Sequence, residues 1–236
     1  MAFSRYGVIQ GPRPSLMQPK HINLIKVVAS ILAIAVSAGW IYYTQFKAPK
    51  FNVALYRRVG EVMAEQAVQL TGKKQGKIVV ITLKSHDYEE LHTEYAAFTK
   101  QLKRLGDFKI HEDEVDTKDQ PKYGLGMGLA ARHFVRTVKK NESADVIISF
   151  IGAPKLDEQQ IMELAKMPKF LVQARSPDHL FKLFDQKLVQ AAVVSRFTFP
   201  APGPISPRTP EEWFTKRFQV FAAENAASIP KGEKAE

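Results

Sequence analysis

Four consecutive residues have side chains that could bind a small anion. Lys84, Ser85, His86 and Asp87 follow the apolar run KIVVITL, and they offer a cation, a hydroxyl, an imidazole and a carboxylate. At the start of a helix such a set is helped by free backbone N–H groups and the helix dipole, which attract negative charge. The alternative is local, with Ser85 and Asp87 capping the next helix and Lys84 solvated.

The same segment contains the residue types of a hydrolytic triad, but adjacent side chains on one turn rarely point at one another. We therefore expect no catalytic residues there. The glycines of GLGMGLAA (124–131) do not directly follow the first strand, as a dinucleotide fingerprint would, so we expect no cofactor. The chain has no cysteine, and its six histidines show no ligand spacing, which predicts no metal site.

Alternating strands and helices must position these residues. Apolar or alternating runs predict five strands, over 77–83, 108–115, 144–151, 170–174 and 188–194. Helical segments separate them, which implies right-handed crossovers and a doubly wound parallel α/β sheet. The second strand alternates and then turns acidic, as an exposed edge strand does. This favours the strand order 2-1-3-4-5.

That order places the carboxyl ends of strands one, three and four at one edge of the sheet, where open α/β sheets bind ligands. Gly152 follows strand three, and Arg175 follows strand four. We therefore predict a ligand site built from Lys84, Ser85, His86, Asp87, Gly152 and Arg175.

An apolar segment over 22–43 follows a basic leader over 1–21. As a helix it would reach ~33 Å, enough to cross a bilayer. Trp40, Tyr42 and Tyr43 cluster at one end, as interfacial aromatic residues do. We predict a single-pass helix in the cell inner membrane, with the carboxyl-terminal domain on the periplasmic side. Cleavage as a signal peptide before Gly39 is the alternative.

The net charge of +10 is uneven along the chain. Residues 1–50 carry six basic residues and no acidic ones, 51–196 carry 23 basic and 19 acidic, and 197–236 carry five of each. A nucleic-acid binder more often carries its excess as a patch on the folded domain. We therefore expect the lipid bilayer as a partner and no nucleic acid.

The carboxyl-terminal part has a different composition. A proline-rich linker over 197–210 precedes an amphipathic helix and tail over 211–236. This helix either docks on a partner or folds back as the last helix of its own domain. The first interpretation predicts a partner-binding face made of Trp213, Phe214, Phe218 and Phe221.

Two segments of the central domain resemble a known family. KIVVITLKSHDYEELHTEYAAFTKQLKRLG looks like the first strand and helix of a lobe in type 1 periplasmic-binding-protein-like domains, and ADVIISFIGAP is similar to the third strand. The resemblance covers about 75–196, preceded by a connecting helix within 44–74. It implies a flavodoxin-like Rossmannoid fold with only one lobe, where that family usually pairs two lobes around a ligand.

These features predict a membrane-anchored, non-catalytic binding or scaffold subunit of a cell-envelope protein complex. A sensor or transport accessory domain that binds a small anion is the second interpretation. An unidentified α/β enzyme is the third, because a doubly wound sheet hosts many chemistries. Protein partners are expected, and a small-molecule ligand is left open.

Overall fold

The chain divides into two compact units, Met1–Lys50 and Phe51–Glu236. In the first unit, helix α1 spans Pro19–Ile41. The computed structural model describes residues 19–43, 51–84, 88–116, 128–164, 167–177, 180–196 and 207–229.

Helix α1 has the length and composition of a membrane span. Its window Leu24–Ile41 has a mean hydropathy of 2.1 and is 0% buried. An exposed apolar helix near the amino terminus is typical of either a membrane anchor or a signal sequence. The predicted amino-terminal apolar helix is therefore confirmed, and its insertion into a membrane stays a prediction.

The second unit is built around one six-stranded sheet with the order β2-β1-β3-β4-β5-β6. The first five strands are parallel to one another, and β6 is antiparallel to β5. The predicted α/β class, the order 2-1-3-4-5 and the edge position of β2 are confirmed. The strands are β1 (Gln75–Leu83), β2 (Asp107–Val115), β3 (Val146–Ser149), β4 (Lys169–Ala174), β5 (Ala191–Ser195) and β6 (Phe218–Ala222).

Helices cover both faces of this sheet. Helix α2 packs along α3 and against β3, β4 and β5, so these two helices share one face. Right-handed crossovers place α4, α5 and α6 on the opposite face. The helices are α2 (Val53–Thr71), α3 (Glu89–Leu105), α4 (Ala131–Lys140), α5 (Glu158–Glu163), α6 (Leu180–Asp185) and α7 (Pro210–Arg217).

Because both faces are covered, the central strands are almost wholly apolar. Aromatic rings fill the space between the sheet and each helical layer. Phe98 of α3 meets Phe150 edge to face, with ring centroids 5.5 Å apart. On the other side Phe134 of α4 lies 4.7 Å from Phe170 of β4, measured between centroids. The buried core residues identified in the structure run from Leu55 to Ile229, so residues 51–236 contain this core without α1.

Helices α2 and α3 touch through their backbones at Gly60. A Cβ atom at this position would lie 2.0 Å from the carbonyl oxygen of Glu94 and 2.9 Å from the nitrogen of Phe98. A side chain would therefore force the two helices apart. The helix predicted in the connecting segment 44–74 is thus a layer of the domain.

The segment 211–236, predicted as an amphipathic helix and tail, also contains a strand that the sequence did not predict. Helix α7 ends at Arg217, and the next residues form β6, in which Phe221 pairs with Ala192 of β5. Aromatic residues at helical spacing suggested one continuous helix. However, Phe and Val favour strands, and the free edge of β5 supplies backbone partners for this segment.

The burial of Phe221 gives a test of this strand. Its side chain is 0% exposed, so Phe221→Ala should leave a cavity and lower the free energy of unfolding by about 3–5 kcal/mol. Urea denaturation of residues 51–236 measures the change. Phe181→Ala is the control, because Phe181 is 40% exposed and should cost less than half as much. Equal losses for the two variants would contradict the position of β6.

Candidate functional site

The carboxyl ends of β1, β3 and β4 lie side by side, as the strand order requires. Lys84 follows β1; its backbone N–H donates to the carbonyl of Val115 at 2.9 Å, and its side chain is exposed. Ser85, His86 and Asp87 lie outside the described residues. Lys84 is therefore the one member of the predicted four-residue segment that the structure places at this edge.

Gly152 has a structural reason to be glycine. Its φ of +101° is in the left-handed region, and a Cβ atom there would lie 2.8 Å from the Cα of Gly128. The neighbouring backbone is also bonded, because Leu129 N–H donates to the carbonyl of Ala153 at 3.3 Å. The turn after β3 thus packs closely against the segment that leads into α4. This contact explains both glycines as close-packing positions.

Arg175 is exposed and directly follows β4. It interacts electrostatically with the buried carboxyl of Glu94, which the sequence analysis did not identify. Glu94 of α3 is 3% exposed, and Gln173 Nε2 donates to its Oε1 at 2.8 Å. Burial raises the pKa of Glu94 to about 8; the Gln173 hydrogen bond opposes this shift, nearby Glu90 adds to it, and Arg175 opposes it. Glu94 is therefore mostly protonated at neutral pH.

Further groups lie near Glu94 at this end of the domain. Tyr56 of α2 is half-buried, and burial is the main cause that raises its pKa, with Glu90 and Glu94 adding to the shift. Arg175 and Arg217 lower that pKa. The resulting cluster contains basic, acidic and phenolic side chains, which can donate or accept hydrogen bonds. A signal for Glu94 was present in the sequence, since it lies four residues before Phe98 on the inward side of α3.

A second polar cluster joins β2 to α4. His133 Nε2 lies 3.3 Å from Asp113 Oδ2, and Arg136 Nη2 lies 2.7 Å from His133 Nδ1. Thr137 donates its hydroxyl to Asp113 as well. His133 and Thr137 are buried, so the cluster is an internal connection that holds α4 on the edge strand. Within the described ranges, no group of three or more His, Asp or Glu residues could hold a metal ion.

The aromatic residues predicted to bind a partner pack on their own domain. Phe218 and Phe221 are buried in β6, which corrects their assignment to an exposed docking face. Trp213 and Phe214 of α7 are half-buried, and the Phe214 ring stacks on Phe218 with centroids 5.7 Å apart. Helix α7 also contacts α2, where Arg58 Nε lies 3.6 Å from Glu211 Oε1.

The domain is similar in fold to solved sugar-binding proteins. A solute-binding protein of an ABC transporter from Burkholderia graminis, solved with D-arabinose, matches with a TM-score of 0.51 and 18% identity, over 74% of this chain and 62% of its own. AraP, an arabinose-binding protein from Geobacillus stearothermophilus, matches with a TM-score of 0.50 and 13% identity, over 75% and 63%. No protein-family model matches the chain, and no curated protein does.

These comparisons confirm the fold that the resemblance predicted. The described domain has an α/β fold like that of type 1 periplasmic binding proteins. It spans less than two thirds of the length of either solved structure, at 62% and 63%. At this level of identity the similarity concerns the fold alone.

The raised pKa of Glu94 predicts how stability depends on pH. The carboxyl of glutamate ordinarily has a pKa of 4.5, whereas that of Glu94 in the folded domain is about 8. The folded state therefore keeps a proton that the unfolded state releases, so stability is highest below pH 4.5 as far as this group is concerned. It should decline as the pH rises towards and through 8.

Urea midpoints of residues 51–236 between about pH 5 and 9 test this decline. Glu94→Gln has nearly the same shape and no charge to lose, so it should remove most of the slope. Glu89→Gln changes an exposed carboxyl on the same helix and should keep the slope. If Glu94→Gln retains the full pH dependence, the buried carboxyl is not its source.

Proposed function

We propose that this chain is a membrane-anchored, non-catalytic subunit that displays one periplasmic-binding-protein-like lobe outside the cytoplasm. It would serve there as a binding or scaffold component of a cell-envelope protein complex. One observation carries the proposal: an apolar helix with exposed side chains and an α/β domain with a core of its own occur in the same chain.

Helix α1 supports the anchor because its surface suits lipid rather than water. From Leu24 to Ile41 its large apolar side chains are all exposed, as with Ile34 at 68% and Val36 at 67%. Soluble monomers rarely expose an apolar surface of this size. The aromatic residues Trp40, Tyr42 and Tyr43 would lie at the headgroup level, and Lys26 at the other end can extend towards water.

The single sheet supports a role as an interaction surface. The described residues from Phe51 onwards form one six-stranded sheet and one apolar core. Periplasmic binding proteins generally close two domains around a ligand, whereas this chain spans 62% and 63% of the length of the two solved sugar-binding structures. In the proposed role, the carboxyl edge of this sheet contacts another protein.

Membrane fractionation tests the anchored subunit most simply. The full chain should stay in the membrane pellet after alkaline carbonate washing, because α1 would be held by the hydrocarbon core. Residues 51–236 expressed alone should be released. The mature amino terminus should lie at or near Met1. Release of the full chain, or a mature chain that begins at Gly39, would contradict the anchor.

Affinity purification in mild detergent tests the scaffold role. The full chain should recover one or more membrane proteins in fixed stoichiometry, and the same proteins should be lost when residues 51–236 are replaced by an unrelated soluble domain. Retention of every partner by α1 alone would show that the lobe is not the binding surface.

A small-anion site is the second candidate function. It is supported by the adjacent carboxyl ends of β1, β3 and β4, with exposed Lys84 and Arg175 at the same edge. The proposed set also contains Ser85, His86, Asp87 and Gly152. An anion that binds there would raise the melting temperature of the domain, and the rise would grow with the logarithm of its concentration above Kd.

Lys84→Ala should abolish such a shift, because it removes the cation at the end of β1. Its effect on the melting temperature without ligand should be small, since the side chain is exposed. Lys100→Ala, which removes an exposed cation from the middle of α3, is the control and should keep the shift. Failure of a broad panel of anionic metabolites to move the melting temperature would contradict this candidate.

A further inference from the structure

The outer surface of α4 carries only positive charge. Arg132, Arg136, Lys139 and Lys140 are all exposed, and the sequence from 128 to 141 contains no acidic residue. These residues recur at three- and four-residue intervals, so they form one stripe along the helix. The basic residues of 51–196 exceed the acidic ones by four. The four positive charges of the α4 stripe therefore equal the net charge of that whole region.

This stripe borders a shallow hollow. The hollow has a volume of about 450 Å³ and is lined by the four cations together with Val135. Val135 and the aliphatic parts of the long side chains can contact apolar groups while the charges reach outwards. The surface therefore combines a positive rim with a partly apolar floor.

Internal contacts neutralise little of this charge. Lys139 Nζ lies 2.6 Å from Glu163 Oε2. Arg136 is hydrogen-bonded to the His133 ring and not to an acidic residue. The side chains of Arg132 and Lys140 make no ion pair or hydrogen bond with any other residue that the structure describes. Three of the four cations thus have no acidic partner within the described part of the domain.

We propose that the α4 stripe binds the headgroups of anionic phospholipids at the membrane that holds α1. This step rests on the proposed anchor and adds a second contact with the same bilayer. Nine residues separate Tyr43 from Val53. Fully extended they reach ~32 Å at most, so the start of α2 stays close to the bilayer surface. At that range even a weak electrostatic contact has a high effective concentration of lipid.

Charge complementarity favours a phospholipid surface over a single small anion. Headgroup phosphates present many negative charges on one plane, which matches a straight stripe of cations better than a single small anion does. Each Lys or Arg next to an anionic membrane strengthens binding roughly fivefold, and the effect is screened by salt. Val135 can contact the apolar level just below the phosphates.

Flotation with lipid vesicles tests this contact without α1. Residues 51–236 contain the whole described core and are used alone. They should bind vesicles of phosphatidylcholine and phosphatidylglycerol at 7:3, and not vesicles of phosphatidylcholine alone. Binding should weaken strongly when the salt is raised to 0.5 M. Equal binding to both kinds of vesicle, or to neither, would overturn the proposal.

The variant Arg132→Gln/Lys140→Gln locates the contact. It should weaken binding to the anionic vesicles about 25-fold, because two cations without partners are removed. Lys103→Gln/Arg104→Gln removes the same charge from exposed positions on α3 and should stay within about twofold of the parent chain. Equal losses in both variants would show that total charge, and not α4, governs binding.

Two further outcomes bear on the occupant. Polyglutamate or duplex DNA that bound as tightly as the vesicles at equal charge would favour an acidic protein or a nucleic acid and overturn the lipid assignment. If the fragment does not bind vesicles while the full chain still resists carbonate washing, the α4 contact fails and the anchor stands. The two proposals are therefore separable.

Discussion

The backbone contact between Gly60 and α3 determines how one face of the domain is closed. It allows α2 to lie against α3 closely enough to cover β3, β4 and β5 as well. Val59, Met63 and Ala67 on the inner side of α2 are 0% exposed as a result. The strands of the sheet are apolar on both sides, so both faces must be covered by helices. Helix α2, which precedes the first strand, supplies half of one covering layer.

Two other features depend on the position of α2. It helps to exclude water from Glu94, whose carboxyl keeps its proton because burial outweighs the hydrogen bond from Gln173. It also contacts α7, which leads directly into β6 and so completes the edge of the sheet beside β5. The carboxyl-terminal segment is therefore part of the domain, and its buried aromatic residues contribute to the core.

The strand order could be predicted because β1, β3, β4 and β5 are short, mostly apolar runs, whereas β2 alternates and carries charged residues. The sixth strand could not, because Phe214, Phe218 and Phe221 fit helical spacing, and only the free edge of β5 decides in favour of a strand. Glu94 was missed because a carboxylate beside an apolar stripe is ordinarily assigned to solvent. Gly152 was predicted as a ligand position, whereas its contact with Gly128 is visible only in three dimensions.

Helix α1 and the α/β domain contribute separately to the proposed function. The domain needs no residue before Leu55 for its described core, and the length and composition of α1 suit a bilayer. Positive charge is likewise concentrated in two places, the amino-terminal segment and helix α4. The leader and its flank carry six cations without acids, and the α4 stripe adds a second basic surface on the folded domain.

In the proposed topology, one chain crosses the membrane and displays its α/β domain outside the cytoplasm. The chain has no cysteine, so single-cysteine variants can report the side of the membrane with a membrane-impermeant maleimide on intact cells. Lys155→Cys, at an exposed position after β3, should be labelled without permeabilisation, and Ser4→Cys in the leader should be labelled only after lysis. Labelling of Ser4→Cys in intact cells, with Lys155→Cys protected until lysis, would contradict the proposed topology.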